Sequence, residues 1–296
     1  MDQDELDDVR APAIWFRRRA GGQSLSKLGG LPTLPSGIAW PRQHETGTPL
    51  HFLTQIDLSQ LPRTPLESAP HAPVFPRSGI LFFFADMVEE MLWDENGGPF
   101  ATTRVIFGDG AGIEREPPSD MPEILHAFGE LAGGYNTGIR IFPHASLEPF
   151  VIDTFGGSRI WSDDNSYTDA VISSIERALG SIPLFEGPQA WQAIKAAEPR
   201  EYIRVTSYRG REGLPGYSRR EFVCPMHQML GVGKDVQGTA EEALTKGDIL
   251  LLQIDSDRYV HDRFMFCDMG VAQYWIRPDD LAASRFDKAW ATTEGG

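Results

Sequence analysis

The stretch Leu53-Thr54-Gln55-Ile56-Asp57 ends an apolar run, and it returns near the other end of the chain as Leu251-Leu252-Gln253-Ile254-Asp255. Similar neighbours surround both copies in the same order. Leu28-Gly29 precedes the first copy as Leu230-Gly231 precedes the second. A further apolar run follows each copy, at residues 79–84 and 270–275. The repetition predicts an internal duplication.

Apolar runs short enough to be β-strands recur along the chain, and their Phe, Ile, Val and Tyr content favours strand. They cover residues 14–16, 51–57, 79–85, 102–107, 138–142, 249–255, 263–267 and 271–276. The run Phe82-Phe83-Phe84 places rings on both faces of its strand, which favours burial of both faces. The intervening segments hold most of the 30 Gly and 22 Pro residues, which are typical of turns and ordered loops.

Helical spacing of apolar residues is confined to a few segments. It predicts helices over residues 122–131, 168–179, 188–197, 239–246 and 279–290. Thr168 and Gly180 suit the two ends of the second of these helices, and Thr239-Ala240-Glu241-Glu242 matches a capping box.

Strands without a regular alternation with helices predict an α+β class. We expect mostly antiparallel sheets in two pseudo-symmetric halves, with a few peripheral helices. The expected organisation is one compact domain over residues 1–296. Its repeat halves would cover about 12–150 and 200–290, joined by a helical connection over 165–198.

The composition disfavours nucleic acid as a partner. The chain of 296 residues carries 27 Lys plus Arg against 42 Asp plus Glu, a formal net charge of −15, and such a surface repels phosphate backbones. The basic cluster Arg17-Arg18-Arg19 directly follows Ile14-Trp15-Phe16, so we interpret it as the polar end of a strand.

Cysteine usage and hydropathy predict a cytoplasmic protein without a membrane partner. Two cysteines, Cys224 and Cys267, are too few for a disulfide framework. No apolar stretch has the roughly 18 residues needed to span a bilayer. The first residues, Met1-Asp2-Gln3-Asp4-Glu5, are acidic where a signal peptide is basic and then apolar.

Three motif blocks in each half of the sequence resemble the YwqG-like bacterial domain family, over about residues 14–290. The blocks are residues 26–41, 49–58 and 79–86 in the first half and 227–231, 250–257 and 280–290 in the second. The segment from about 108 to 148 fits that family least well. The resemblance implies a duplicated, strand-rich α+β fold. It implies no reaction and no cofactor, because the family is one of unknown function.

The repeated Gln/Asp pairs are the main candidate site. If they lie on strands, Gln55 and Asp57 share one face, and Gln253 and Asp255 do the same. Two carboxylates meeting at a pseudo-twofold axis could share a proton, bind a cation or act as acid and base, with His227 assisting. Alternatively, each Asp accepts backbone hydrogen bonds in a turn and each Gln satisfies a strand edge, which is a need of folding alone.

Other patterns give no complete catalytic constellation. The cluster Asp255, Asp257, His261, Asp262, Cys267 and Asp268 lacks the spacing of a known metal site, so we predict no metal and no cofactor. Ser24-Leu25-Ser26-Lys27 matches a Ser-x-x-Lys pattern without its partner motifs. Cys224 precedes His227 by three residues, yet no third group is evident that would orient the imidazole.

The sequence therefore favours a non-catalytic binding or regulatory protein whose partner is another protein, with a toxin-neutralising or scaffolding role as one form. The candidate binding residues are Gln55, Asp57, His227, Gln253 and Asp255. The alternative is a hydrolase or transferase acting on a small polar substrate, with Asp57 and Asp255 as acid and base and His227 assisting.

Overall fold

The structure is a computed structural model, and it describes residues 10–19, 24–63, 75–88, 102–124, 138–155, 227–234, 237–257, 260–261, 263–267 and 270–295. Ten strands lie in this part of the chain. They are β1 (Arg10–Arg19), β2 (Lys27–Leu28), β3 (His51–Asp57), β4 (Ile80–Ala85), β5 (Thr103–Gly108), β6 (Ala145–Phe155), β7 (His227–Leu230), β8 (Ile249–Asp255), β9 (Val271–Ile276) and β10 (Trp290–Glu294). Two short helices are described, α1 (Thr239–Thr245) and α2 (Pro278–Ala282), with 3-10 turns over Leu58–Gln60 and Phe286–Lys288.

All ten strands belong to one sheet, in the order β10-β9-β8-β7-β1-β6-β2-β3-β4-β5. Each of the strand pairs is antiparallel. The long β1 and β6 pair over their whole length, from Arg10 opposite Phe155 to Arg19 opposite Ser146. They form the centre of the sheet, with four strands on each side.

The sheet curls until strands far apart in its order face each other, which makes it a nearly closed, barrel-like sheet. Phe83 on β4 packs its ring against Tyr274 on β9, with 5.0 Å between the centroids. The Tyr274 hydroxyl donates a hydrogen bond to the Phe84 carbonyl at 3.2 Å. Near the seam, Phe107 on β5 contacts Phe286, at 5.2 Å between centroids. The enclosed face holds the main hydrophobic core.

Parts of the outer face are also covered, which explains why several strands are buried along their whole length. Phe52, Phe82 and Phe84 pack outside β3 and β4 against Leu34 and Leu50 from the preceding loop. On the other side of the sheet, α1 places Ala240 and Ala243 over Leu250 and Trp275. Burial of Phe82-Phe83-Phe84 on both faces is therefore confirmed.

The predicted α+β class with two pseudo-symmetric halves is wrong. The described chain is mainly β, and a single sheet runs without interruption through both copies of the repeated motif. The helical spacing over 279–290 was misleading, because Ser284, with φ of +55°, stops the helix after α2, and Trp290 begins β10. Residues 138–142 and 263–267 form turns and loops instead of strands, and residues 122–124 are not helical.

Several sequence predictions fall where the structure gives no description. The helices predicted over 168–179 and 188–197, and the connection over 165–198, lie outside the described residues. So does Cys224. The predicted single domain with boundaries 1–296 remains a prediction.

The helix predicted over 239–246 is confirmed as α1, but its capping box is not. Gly238, with φ of +94°, occupies the N-cap without a side-chain bond. The carboxylate of Glu294, at the end of β10, caps the helix instead. It accepts hydrogen bonds from the backbone N–H of Gln237, Thr239 and Ala240, at 3.1, 2.7 and 3.1 Å. Glu294 is fully buried, so this contact fixes α1 to the sheet.

We expect Glu294→Ala to lower the free energy of unfolding by about 2 kcal/mol, since it leaves three backbone donors at the start of α1 without their acceptor. Urea unfolding followed by circular dichroism measures the change. Glu242→Gln, which alters an exposed carboxylate on the same helix, is the matched control and should change stability far less. Equal stability of the Glu294→Ala and wild-type proteins would contradict this role of Glu294.

Candidate functional site

The two copies of the motif lie at equivalent positions in their strand pairs. Lys27 on β2 pairs with Gln55 on β3, and Gln228 on β7 pairs with Gln253 on β8. β3 and β8 each have a bulge relative to the next strand, between Phe52 and Thr54 and between Leu250 and Leu252. The chain then turns back over the outer face through two residues with positive φ, at Gly29 and Gly30 in one copy and at Leu230 and Gly231 in the other.

Gln55 holds the loop that follows β2. Its amide oxygen accepts hydrogen bonds from the backbone N–H of Thr33 at 3.0 Å and from the Thr33 hydroxyl at 3.3 Å. Its amide nitrogen donates to the Leu25 carbonyl at 2.8 Å. The side chain is completely buried and uses both ends of its amide within the protein. This arrangement favours a structural role.

Gln253 does the same for the loop after β7. Its amide oxygen accepts from the backbone N–H of Lys234 at 2.7 Å and from the side-chain amide of Gln273 at 3.0 Å. Gln273 also donates to the Lys234 carbonyl at 2.7 Å. Gln228, Gln253 and Gln273 are aligned across β7, β8 and β9 and are all fully buried. Gln273 was not among the predicted site residues.

Asp57 caps the turn that follows β3. Its carboxylate accepts hydrogen bonds from the backbone N–H and the hydroxyl of Ser59, at 2.9 and 2.7 Å, and so caps the 3-10 turn over Leu58–Gln60. The Asp57 backbone N–H donates to the Ser26 hydroxyl at 2.9 Å. These are the turn contacts that the structural interpretation expects.

His227 occupies the position of Ser26 in the second copy. Its Nδ1 accepts a hydrogen bond from the Asp255 backbone N–H at 3.2 Å, which leaves the hydrogen on Nε2 to be donated to Asp257 at 3.4 Å. The Asp255 carboxylate accepts from the Ser256 backbone N–H at 2.9 Å and lies 3.9 Å from the Lys234 ammonium. His227 and Asp255 are thus neighbours.

The fold does not bring Asp57 close to His227 and Asp255. Four strands, β7, β1, β6 and β2, lie between β8 and β3 in the sheet. Both Asp side chains also point outward, since Ile254 and Ile56 beside them belong to the enclosed core. The geometry therefore provides no shared site for the two repeated carboxylates.

A buried charge pair that was not among the predicted site residues lies on the enclosed face. Arg18 on β1 contacts the Asp257 carboxylate at 2.5 Å, and the Asp257 side chain is fully buried. His227 lies on the other side of the same carboxylate. Arg18 was interpreted as the polar end of a strand, and only the position of Asp257 in an acidic cluster could have indicated this contact. Among the described residues, no three His, Cys, Asp or Glu side chains converge as metal ligands do.

Shifted pKa values are a common feature of functional sites, and burial lowers the pKa of three basic groups among the described residues. Burial lowers the pKa of the Lys27 ammonium, although the nearby Glu114 partly offsets this. The pKa of His144 is lowered by burial and by the charge of Lys27. Lys27 donates to the Leu31 carbonyl at 2.7 Å, and His144 contacts the Ser146 hydroxyl at 3.3 Å. These groups lie where β2 pairs with β6.

His51 is the third group, and burial lowers its pKa. Its Nδ1 accepts a hydrogen bond from the Met87 backbone N–H at 3.1 Å, and its Nε2 lies 3.1 Å from the Pro122 carbonyl. The neutral ring thereby joins the start of β3 to two loops. Its contacts are those of a structural histidine.

An accessible cavity lies along β5, the last strand of the described sheet. This groove of about 480 Å³ is bounded by residues 39–41, by residues 104–107 of β5, and by Ser284, Phe286 and Asp287. A second cavity of about 360 Å³ continues from Phe107 around residues 108–112 to Pro35, Ser36 and Ile38. We call the two together the β5 groove. None of the predicted site residues lines it, because its walls come from segments far apart in sequence.

The described residues thus define a mainly β protein with an open surface groove and with repeated motifs that serve its loops. The chain belongs to the family described as domain of unknown function DUF1963, whose profile matches residues 26–294. No curated protein matches the chain. None of the described helices is both long enough and apolar enough to cross a membrane.

If Gln55 is structural, Gln55→Ala should lower the free energy of unfolding by about 2–3 kcal/mol, because buried donors and acceptors in the Thr33 loop lose their partners. Chemical denaturation gives the value. Gln60→Ala changes an exposed Gln in the adjacent turn and serves as control. A folded Gln55→Ala protein of unchanged stability would show that these bonds are dispensable.

His51 should make stability depend on pH. Since its pKa is lowered in the folded state, the unfolded chain binds the proton more readily, so stability is complete above the ordinary pKa of about 6.5 and decreases as pH falls below it. Thermal unfolding between pH 8 and pH 5 should show a shallower dependence for His51→Gln than for the wild type. His44→Gln, at an exposed position, is the control. If both variants follow the wild-type curve, His51 does not contribute to it.

Proposed function

We propose that this protein is a non-catalytic binding protein that holds a partner protein in the β5 groove. The observation that supports the proposal is the groove itself. It runs along the terminal strand of the described sheet and has aromatic and charged residues on its walls, including Trp40, Arg104, Phe107 and Asp287. Aromatic and Arg side chains are enriched at protein interfaces.

The hydrogen bonds of the repeated residues also favour a binding role over a catalytic one. Gln55, Asp57 and Gln253 direct their side chains to nearby loops and turns, and Asp57 lies apart from His227 and Asp255. An acid and base pair needs both groups within reach of one substrate. A binding role requires no such convergence.

The rigidity of the groove wall also suits binding. The Trp40 indole N–H donates to the Leu50 carbonyl at 2.8 Å, and its ring packs edge-on against Phe84 with 5.5 Å between centroids. An aromatic side chain that is already fixed loses little conformational entropy when a partner covers it.

Several finer expectations belong to this proposal. The resemblance to YwqG-like proteins stays part of it and supplies no reaction. Toxin neutralisation and scaffolding are two forms that such binding can take. We place the role in the cytoplasm, since two cysteines in 296 residues suit a reducing compartment.

Site-specific photo-crosslinking in the native cell tests the proposal. A photoreactive amino acid replaces Ala39 or Asp287, which are exposed on opposite walls of the groove. The control replaces Val151, 40% exposed on β6, with three strands between it and β5. We expect adducts with one defined protein from both groove positions and not from Val151.

The opposite results are equally informative. Adducts of the same pattern from Val151, or no protein adduct from either groove position, would remove the groove as the binding surface. Adducts of small-molecule mass alone would point to a metabolite site and would contradict a protein partner.

A further inference from the structure

We propose that the outer face of β8, β9 and β10 is a binding site for ordered internal water, with Gln273 and Thr292 as its main ligands. The site lies beneath the loop after β7 and is separate from the β5 groove, so it does not depend on the proposed function. A buried water molecule supplies hydrogen bonds to polar side chains that have no partner within the protein, and its loss destabilises the fold.

A row of polar side chains crosses four strands on one face of the sheet. On β8, Gln253 pairs with Gln228 on one side and with Gln273 on the other. Thr292 on β10 lies opposite Gln273. Residues directly opposite each other in antiparallel strands point to the same face. Gly233, in the loop after β7, covers the row, since a Cβ on it would lie 2.8 Å from the Gln273 amide nitrogen.

Three oxygen atoms of this row are buried without a hydrogen-bond partner in the described part of the protein. They are Oε1 of Gln228, Oε1 of Gln273 and Oγ1 of Thr292. Trp275 lies two residues further along β9, on the same face as Gln273, and among the same described residues its buried indole N–H has no partner either. Polar groups that leave water without forming new hydrogen bonds destabilise the folded state. This face therefore offers both acceptors and a donor to a bound molecule.

The orientation of the two amides is fixed by their nitrogen atoms. Nε2 of Gln273 donates to the Lys234 carbonyl at 2.7 Å and to the Gln253 amide oxygen at 3.0 Å. Nε2 of Gln228 donates to two carbonyls of the turn after β7, at 3.1 and 3.0 Å. If either amide were turned over, its oxygen would face these acceptors and its nitrogen would lose both bonds. The positions of the unpartnered oxygens therefore follow from the hydrogen-bond network.

The corresponding positions beside the first copy of the motif are apolar. Phe82 lies opposite Gln55, and Ile106 lies opposite Phe82. These two residues correspond to Gln273 and Thr292 in the second half of the sheet. Phe82 is fully buried, and Ile106 packs against the same apolar cluster. The same kind of strand pairing thus accommodates an apolar pair, and a polar pair in this place is stable only when an occupant satisfies its hydrogen bonds.

The mixture of polar groups identifies the occupant as water. The Gln273 amide oxygen only accepts hydrogen bonds, the Trp275 N–H only donates, and the Thr292 hydroxyl does both. A cation would be repelled by the N–H dipole and an anion by the amide oxygen. Water donates and accepts, and buried waters typically make about three hydrogen bonds. Opposite residues of an antiparallel pair have Cβ atoms about 4.5–5.5 Å apart, so one water molecule can bridge Gln273 and Thr292.

A crystal structure of the whole chain, at a resolution that shows ordered water, tests this site directly. We expect a water molecule within about 2.6–3.2 Å of both Gln273 Oε1 and Thr292 Oγ1. The inference is overturned by a direct hydrogen bond between these two side chains, by an ion or a larger molecule in this place, or by the absence of electron density between them. The wild-type protein suffices for this experiment, so it does not depend on the folding of any variant.

Magnetic relaxation dispersion of the solvent gives the second test, because it counts water molecules that stay inside a protein for longer than its tumbling time. The double variant Gln273→Phe with Thr292→Ile introduces the apolar pair found beside the first copy of the motif. It should hold at least one such water molecule fewer than the wild type. The control, Gln60→Phe with Thr46→Ile, makes the same changes at exposed positions and should leave the number unchanged.

Circular dichroism establishes that both double variants are folded before the water molecules are counted. An unchanged number in the folded Gln273→Phe, Thr292→Ile protein would overturn the inference, and so would an equal decrease in the control. Photo-crosslinking at the β5 groove gives a separate result. If the water molecule is found and crosslinking fails, only the proposed function is wrong. If crosslinking succeeds and no water molecule is found, only the water site is wrong.

Discussion

The buried amide of Gln55 supplies the hydrogen bonds on which the loop architecture depends. The segment after β2 crosses the outer face of the sheet, and its residues 32–34 are buried there. An unpaired buried N–H or C=O costs about 1–3 kcal/mol, so a loop in this place needs internal partners. Gln55 provides them to Thr33 and Leu25 at once, and Gln253 provides the equivalent bond to Lys234. The Gln/Asp motif is repeated because each of the two loops needs a buried side-chain amide as its hydrogen-bond partner.

The turn that leads into each loop also has a constrained backbone conformation. The chain leaves β2 through Gly29, with φ of +56°, and a Cβ there would lie 2.3 Å from the Pro143 carbonyl oxygen. Only glycine fits this position. In the second copy Leu230 adopts φ of +62° in place of a glycine, and it is buried in the core. The backbone path is therefore kept in both copies even where the residue is an unfavourable one for it.

Sequence patterns predicted the parts of this fold whose contacts are local. β3, β4, β8 and β9 fall on short runs rich in apolar residues, and each was predicted within about two residues. β2 and β7, of two and four residues, are too short for any pattern, and β6 includes Glu148 and Pro149, which disfavour strand. The motif identified Gln55 and Gln253, but their partners could not be known without the loops. Asp257 with Arg18, Glu294 with α1, and the walls of the β5 groove join residues far apart in sequence, which periodicity cannot detect.

The curl of the sheet determines where a groove stays open on the described surface. Phe83 on β4 packs against Tyr274 on β9 across the core. The two terminal strands, β5 and β10, lie near each other, and Phe286 packs against Phe107 at the seam. The outer face near Phe82 and Phe84 is covered by residues 34–50, and that near Trp275 by α1. Between these two covers the groove stays accessible along residues 104–107. A nearly closed sheet thus leaves an open groove beside the seam, outside the enclosed core.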